Sequence, residues 1–168
     1  MHMLMLALTL MVAPAAPPDL FSIQADLQGL YDEGSQASLQ FETPEDAEQF
    51  HEVLYTPDWV FVDTSGQSHT WPQLRDQVLH AAPVTAATQP IQKLSLVAGG
   101  AVTTVNEVRT RAIVDEAGRY GRKGAPHMLT ETTTFKDTWI QVGDQWKLKS
   151  RQQLGPPKVQ VDVSDYGT

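Results

Sequence analysis

The stretch that most constrains this chain covers residues 132–152, TTTFKDTWIQVGDQWKLKSRQ. Two β-prone runs flank Gly143-Asp144, a tight-turn signal, with Trp139 on one side and Trp146 on the other. This reads as two long strands of a hairpin. After the turn, Trp146, Leu148 and Ser150 alternate with Lys147, Lys149 and Arg151. A period of two gives a strand one buried and one solvated face, so the first set is expected inside and the second outside. A hairpin alone is marginally stable and requires more strands and a covering layer.

The rest of the chain can supply both. Its 168 residues, 41% hydrophobic, suit one domain with a sizeable core. Leu20, Ile23, Leu27, Leu30 and Tyr31 recur at helical spacing and predict a helix over residues 19–32, stopped by Gly34-Ser35. A second helix starts with Thr43 as N-cap, Pro44 at the first position and acids in the first turn, and ends before Pro57. Residues 59–63, WVFVD, form a short strand apolar on both faces and so covered on both. Residues 64–67 turn, Thr70 caps a short helix over 72–80, and the small residues of 81–90 form a loop.

Long strands are expected at 91–98, 101–114, 128–142 and 145–154. Between the second and third, residues 115–126 hold four Gly or Pro and read as a long, mobile hairpin loop. In the tail, residues 155–168, alternating Val159, Val161 and Val163 fit an edge strand. Helices first and an antiparallel meander after make an α+β pattern. A curved sheet wrapped on helices makes a cone with a pocket.

The net charge of −8 argues against nucleic acid or an anionic membrane as partner. Up to Val84 there are twelve acids and one base; the remainder has eight acids and eleven bases. This fits acidic helices followed by a sheet with a basic outer face. With no cysteine, disulfides and thiolate chemistry are excluded. Residues 1–15 have the form of a signal peptide: an apolar run over 3–12, then Ala13-Pro14-Ala15 as an A-x-A cleavage site, although the n-region has only His2. The run is too short to span a bilayer. With no lipobox cysteine, the expectation is a secreted or periplasmic domain over residues 19–154 that leaves the membrane on cleavage.

Three segments resemble the NTF2-like superfamily, especially its SnoaL-like and DUF4440 domains. Residues 55–66, YTPDWVFVDTSG, resemble the family's helix end, strand and glycine turn; Thr70 and its helix follow in place; Gly99-Gly100-Ala101-Val102 and Trp139…Gly143-Asp144-Gln145-Trp146 resemble its later strands. The resemblance covers residues 20–154 and implies a cone-shaped α+β barrel, often a homodimer. It implies little about activity, since the fold hosts isomerases, cyclases, hydrolases, dehydratases and non-catalytic binders.

Asp63 is the first chemical candidate. It ends a strand on the side of Trp59 and Phe61, where desolvation would raise its pKa toward that of a general base. The resemblance adds that ketosteroid isomerases place a catalytic Asp before the same glycine turn; their second acid falls near Thr133, with Glu131 two residues away, and their oxyanion-hole Tyr has no match beyond Tyr31. Alternatively, Asp63 initiates the Thr64-Ser65-Gly66 turn through its own side chain. Glu131, Thr133, Phe135, Asp137 and Trp139 share one strand face, and periodicity leaves open whether it lines the pocket. His127 begins that strand as an acid or base, or simply an exposed residue. Trp59, Phe61, Trp71, Thr133 and Trp139 are the expected pocket lining.

No metal or cofactor is expected. The histidines lack ligand spacing, and His51-Glu52 begins an HExxH motif that fails at Tyr55. There is no dinucleotide, phosphate-loop or nucleophile-elbow motif, and the basic Gly118…Gly124 loop reads as a solvated hairpin tip. Three readings stay open: a binder of a small, largely apolar molecule; an acid–base enzyme with Asp63 as base; a dimerisation module with a filled cone.

Overall fold

Asp19 opens the first helix, its Oδ1 accepting the backbone N–H groups of Phe21 and Ser22 at 2.6 and 3.3 Å. The computed structural model describes residues 19–41, 43–79 and 83–162. The leader-like residues 1–15, His80 and Val163 lie outside them. Helix α1 (Leu20–Ser38) buries Ile23, Leu27 and Tyr31. It does not stop at Gly34-Ser35, as expected from the sequence, because both residues are buried against neighbours. A Cβ on Gly34 would lie 3.2 Å from Phe50 Cζ, so this glycine admits the next helix rather than ending its own.

Helix α2 (Pro44–Leu54) carries the expected cap. Asp46 N donates to Thr43 Oγ1 at 3.2 Å and Thr43 N donates back to Asp46 Oδ2 at 2.9 Å, a capping box. At its far end Lys147 Nζ donates to the carbonyls of Glu52 and Val53, where the last carbonyls lack helical partners and the dipole favours a cation.

There follow β1 (Tyr55–Val62), β2 (Ser68–Thr70), α3 (Trp71–Leu79), β3 (Ala86–Thr88), β4 (Ile91–Val97), β5 (Gly100–Val114), β6 (Pro126–Val142), β7 (Gln145–Gln153) and β8 (Lys158–Asp162). The strands make one sheet in the order β2-β1-β7-β6-β5-β3, with β4 also on β5 and β8 also on β6. β1 and β7 run parallel and the other pairings are antiparallel. The architecture is α+β: three helices packed on a large, mostly antiparallel sheet. The expected loop at 81–90 contains β3, which pairs Ala87 with Arg109 of β5.

Two local features depart from the sequence pattern. Trp139 faces Leu148 while Thr138 faces Ser150, so Lys149 is an extra residue in a β-bulge. The alternation expected after the turn therefore breaks. Leu148 and Arg151 both turn inward, and Arg151 leaves the face assigned to it. The loop after β5 is built around a buried acid: Asp115 accepts the N–H groups of Arg119 and Tyr120 at 2.8 and 2.7 Å. Burial opposes the charge on Asp115, but these backbone donors outweigh it and lower its pKa.

Candidate functional site

Register sets the site. Across β2, β1, β7, β6 and β5, His69, Phe61, Arg151, Asp137 and Thr103 stand in one row. Above them α1 lowers Tyr31 to the sheet. Tyr31 Oη donates to Asp137 Oδ2 at 2.6 Å, lies 2.6 Å from Thr103 Oγ1, and accepts from Trp139 Nε1 at 2.9 Å. Its ring meets Trp139 edge-to-face at 5.3 Å.

Arg151 holds the other side of the carboxylate. Nε donates to Asp137 Oδ1 at 3.0 Å and Nη2 to Oδ2 at 2.8 Å, while Nη2 also reaches Gln89 Oε1 at 2.6 Å. Its guanidinium carbon lies 4.7 Å from the centre of the Phe135 ring. Next along β5, Glu107 takes a two-pronged contact from Arg109, at 3.0 and 3.2 Å, and a longer one of 3.5 Å from Arg151. Gln89 Nε2 donates to Ser35 Oγ at 3.2 Å, closing the network onto α1.

Electrostatics follow from burial. Tyr31 is 3% exposed, and burial, with Asp137 beside it, pushes its phenol far above the usual tyrosine value. It is a fixed neutral donor. Burial opposes the charge on Arg151, but Asp137 and Glu107 reverse that effect and hold the guanidinium charged.

Above this floor lies a cavity of about 370 Å³ between sheet and helices. Trp59, Phe61, Trp71, Phe50, Leu74, Phe135 and Leu148 give it apolar walls, and Tyr31, Gln89, Glu107, Arg109 and Arg151 give it a polar end. His51 forms part of the wall, stacked between Tyr55 and Trp71 at 4.7 and 4.5 Å. Burial lowers its pKa and favours the neutral ring. Beyond His51 an outer groove of about 850 Å³ runs past α2, α3 and β1. There Glu48 accepts from Trp71 Nε1 and Asp58 pairs with Lys149.

Of the expected lining, Trp59, Phe61, Trp71 and Trp139 face this cavity. Thr133 is buried on the same strand face but stops short of the lining. Glu131, opposite Arg109 on β5, is half-buried and outside the lining. His127 is occupied elsewhere, its Nδ1 3.0 Å from the carbonyl of Asp162 on β8.

Asp63 departs from the general-base expectation. Its Oδ1 accepts from Ser65 N at 2.8 Å, Ser65 Oγ at 2.6 Å and Gln67 N at 3.0 Å; its Oδ2 lies 2.9 Å from His69 Nε2. The hydrogen bond from His69, with those from Ser65 and Gln67, lowers its pKa instead of raising it. Asp63 builds the β1–β2 turn and does not line the cavity.

No family model matches the sequence, and no curated protein matches it. Solved structures do. An NTF2-like protein from Cytophaga hutchinsonii matches 83% of this chain with 100% of its own, at a TM-score of 0.51 and 15% identity. The fold is NTF2-like. A conserved protein from Planctomyces limnophilus matches at a TM-score of 0.59, 15% identity and 82% and 99% of the two chains. A hexachlorocyclohexane dehydrochlorinase, LinA type 2, matches at 0.56, 7% identity and 88% and 94%. At such identities the likeness is one of fold.

Within this NTF2-like cone, the residues that sequence reasoning missed are Arg151, Thr103, Gln89, Glu107 and Arg109; Asp137 was noticed but given no role, and Tyr31 was raised only as a counterpart of an oxyanion-hole Tyr. Asp137 and Trp139 had a signal, since they share the face of Glu131 and Phe135. Glu107 carried one as well: Ala101, Thr103, Val105 and Glu107 alternate strictly along β5 and are all buried.

Proposed function

We propose that this chain is a binding module that holds one small, largely apolar molecule in its cone. The observation that supports this is the cavity itself, about 370 Å³ and open, with aromatic walls and a polar end. That volume falls within the range of small-molecule sites, about 300–1,000 Å³. A dimerisation module with a filled cone would have Trp59, Phe61 and Trp71 packed across this space.

The acid–base alternative with Asp63 as base needs that carboxylate, or another in its place, free to accept a proton from a ligand. Glu107, the carboxylate that lines the cavity, is held by Arg109 and Arg151, and Asp137, fully buried beneath the lining, is held by Arg151. Asp63 is committed to its turn. The polar groups are arranged to hold a shape, and the walls to accept an apolar body.

The test uses phenylnaphthylamine, a neutral probe whose fluorescence rises in apolar surroundings. The expected result is saturable one-to-one binding, lost in Ala87→Phe, which fills the cavity from β3. Circular dichroism on the variant confirms that it is folded. Absence of binding, or equal binding by the folded variant, would overturn the proposal.

A further inference from the structure

A guanidinium offers only donors, and an ionised carboxylate only acceptors. Two of each meet at the polar end: Arg151, Arg109 and Glu107 line the cavity, and Asp137 lies fully buried beneath them. On the acceptor side, Asp137 takes Tyr31 and both prongs of Arg151, and Glu107 takes both prongs of Arg109 and one contact from Arg151. The donor side is not exhausted. Arg109 uses Nε and Nη2 on Glu107, and its Nη1 makes no bond among the described residues. Arg151 Nη1 has only the 3.5 Å contact with Glu107. Within this cluster most of the uncommitted capacity is therefore donor capacity, three N–H positions on Arg109 against one further lone-pair site on Glu107 Oε2, while His51 Nε2 and Trp59 Nε1 are unpartnered on the opposite wall.

We infer that the cavity selects neutral molecules that carry a hydrogen-bond acceptor, a carbonyl oxygen above all, on an apolar skeleton, and that Arg109 is the residue that reads the acceptor. This rests on the binding function proposed above. Arg109 suits the role because it lines the cavity while its side chain stays 45% exposed, against 12% for Arg151. Its free edge is reachable by a ligand, whereas Arg151 is fixed under Phe135 and Gln89.

Charge narrows the class. Two guanidiniums and two carboxylates cancel, and burial keeps His51 toward its neutral form. An anionic ligand would add net charge to a cluster already balanced and would face Glu107, whose side chain is only 10% exposed. A cationic ligand would have to displace a guanidinium from a carboxylate. A neutral carbonyl meets an idle N–H and disturbs nothing. A ligand without an acceptor covers that N–H and displaces its water without replacing the bond, which is the basis of discrimination.

Four probes of one shape test this: diphenylmethane, benzophenone, diphenylacetate and benzhydrylamine. They share two phenyl rings and differ in presenting nothing, a carbonyl, an anion or a cation at near-neutral pH. Affinities come from quenching of tryptophan fluorescence, since Trp59, Trp71 and Trp139 line the cavity. The expected result is benzophenone tightest, by about tenfold or more over diphenylmethane. Arg109→Met should bring benzophenone down to the affinity that diphenylmethane shows in the same variant. Because that change deprives Glu107 of its main partner, Arg109→Met/Glu107→Gln serves as the second variant and should behave alike. Tightest binding of diphenylacetate or benzhydrylamine, or a ketone preference that survives in both variants, would overturn the inference. Equal binding of diphenylmethane and benzophenone would overturn it while leaving the binding function standing. Failure of all four to bind would overturn both.

Discussion

Arg151 closes on the fully buried carboxylate of Asp137 as a fork, with Nε 3.0 Å from Oδ1 and Nη2 2.8 Å from Oδ2. The geometry matches the planar guanidinium to the planar carboxylate. A buried pair of this kind is weak evidence of net stabilisation, because both charges lose their hydration. What it does is fix the floor of the cone. Tyr31, Thr103, Trp139 and Gln89 all take their positions from it directly or through one neighbour.

Breaking the pair on one side should therefore be worse than removing its charges together. Arg151→Met strands a buried carboxylate and should destabilise by about 3–5 kcal/mol. Asp137→Asn/Arg151→Met removes both charges and keeps an oxygen for Tyr31, so it should lose less than Arg151→Met alone. Urea denaturation of the three proteins measures this. A double variant less stable than the single would show that the pair contributes beyond charge cancellation.

Tyr31 makes the fold sensitive to alkali. Its folded-state pKa is raised by burial and Asp137, and Tyr55 is raised by burial in the same sense. In the unfolded chain both phenols ionise near about 10. Above that pH the unfolded state releases protons that the native state retains, so stability must fall as pH rises through it. Below it the effect vanishes. Unfolding free energies measured at rising pH should show this decline, and Tyr31→Phe should make it shallower. An unchanged slope in Tyr31→Phe would mean that Tyr31 ionises freely in the native protein.

The fold was largely legible and the polar floor was not, for reasons that specific residues show. Helix caps act through neighbours in sequence, so Thr43-Pro44 and the acids after it announced α2. Hydrophobic alternation marked β5 and β6 because their partners impose one buried face. Gly34 misled because a glycine that stops a helix and one that admits another helix look alike until Phe50 is in place. Arg151 misled because a bulge at Lys149 is a property of the pairing with β6, and it moved the following residues to the other face. Asp63 was correctly placed at a strand end and turn, but its role depended on whether backbone donors or aromatic rings surrounded the carboxylate.

The two glycines of α1 should respond in opposite directions. A Cβ on Gly29 would meet nothing within 4 Å, so Gly29→Ala should stabilise by about 0.5–1 kcal/mol through helix propensity. Gly34 faces Phe50, and Gly34→Val should cost about 1–3 kcal/mol by overpacking. Since Gly34 and Phe50 both line the cavity, the Val variant should also weaken phenylnaphthylamine binding. Thermal denaturation and probe titration check the two effects. A stabilising Gly34→Val would show that α1 and α2 are less closely packed than this.

Asp63 offers a test in which sign alone decides. Its native pKa is depressed by His69, Ser65 and Gln67, below an unfolded value of about 3.9. The carboxylate therefore contributes stability that is fully present above that value and is lost as pH falls through the native pKa. Carboxyl-carbon NMR, assigned with Asp63→Asn, should give a titration midpoint below the ordinary Asp range. Asp63→Asn should also destabilise near neutral pH, because an amide oxygen accepts less strongly from Ser65 N and Gln67 N and its nitrogen offers nothing they can use. Since Asp63 lies outside the cavity, the folded Asn variant should bind phenylnaphthylamine as tightly as the parent. A raised midpoint together with lost probe binding would return Asp63 to the cavity and restore it as a candidate base; a depressed midpoint with binding intact assigns it to the turn.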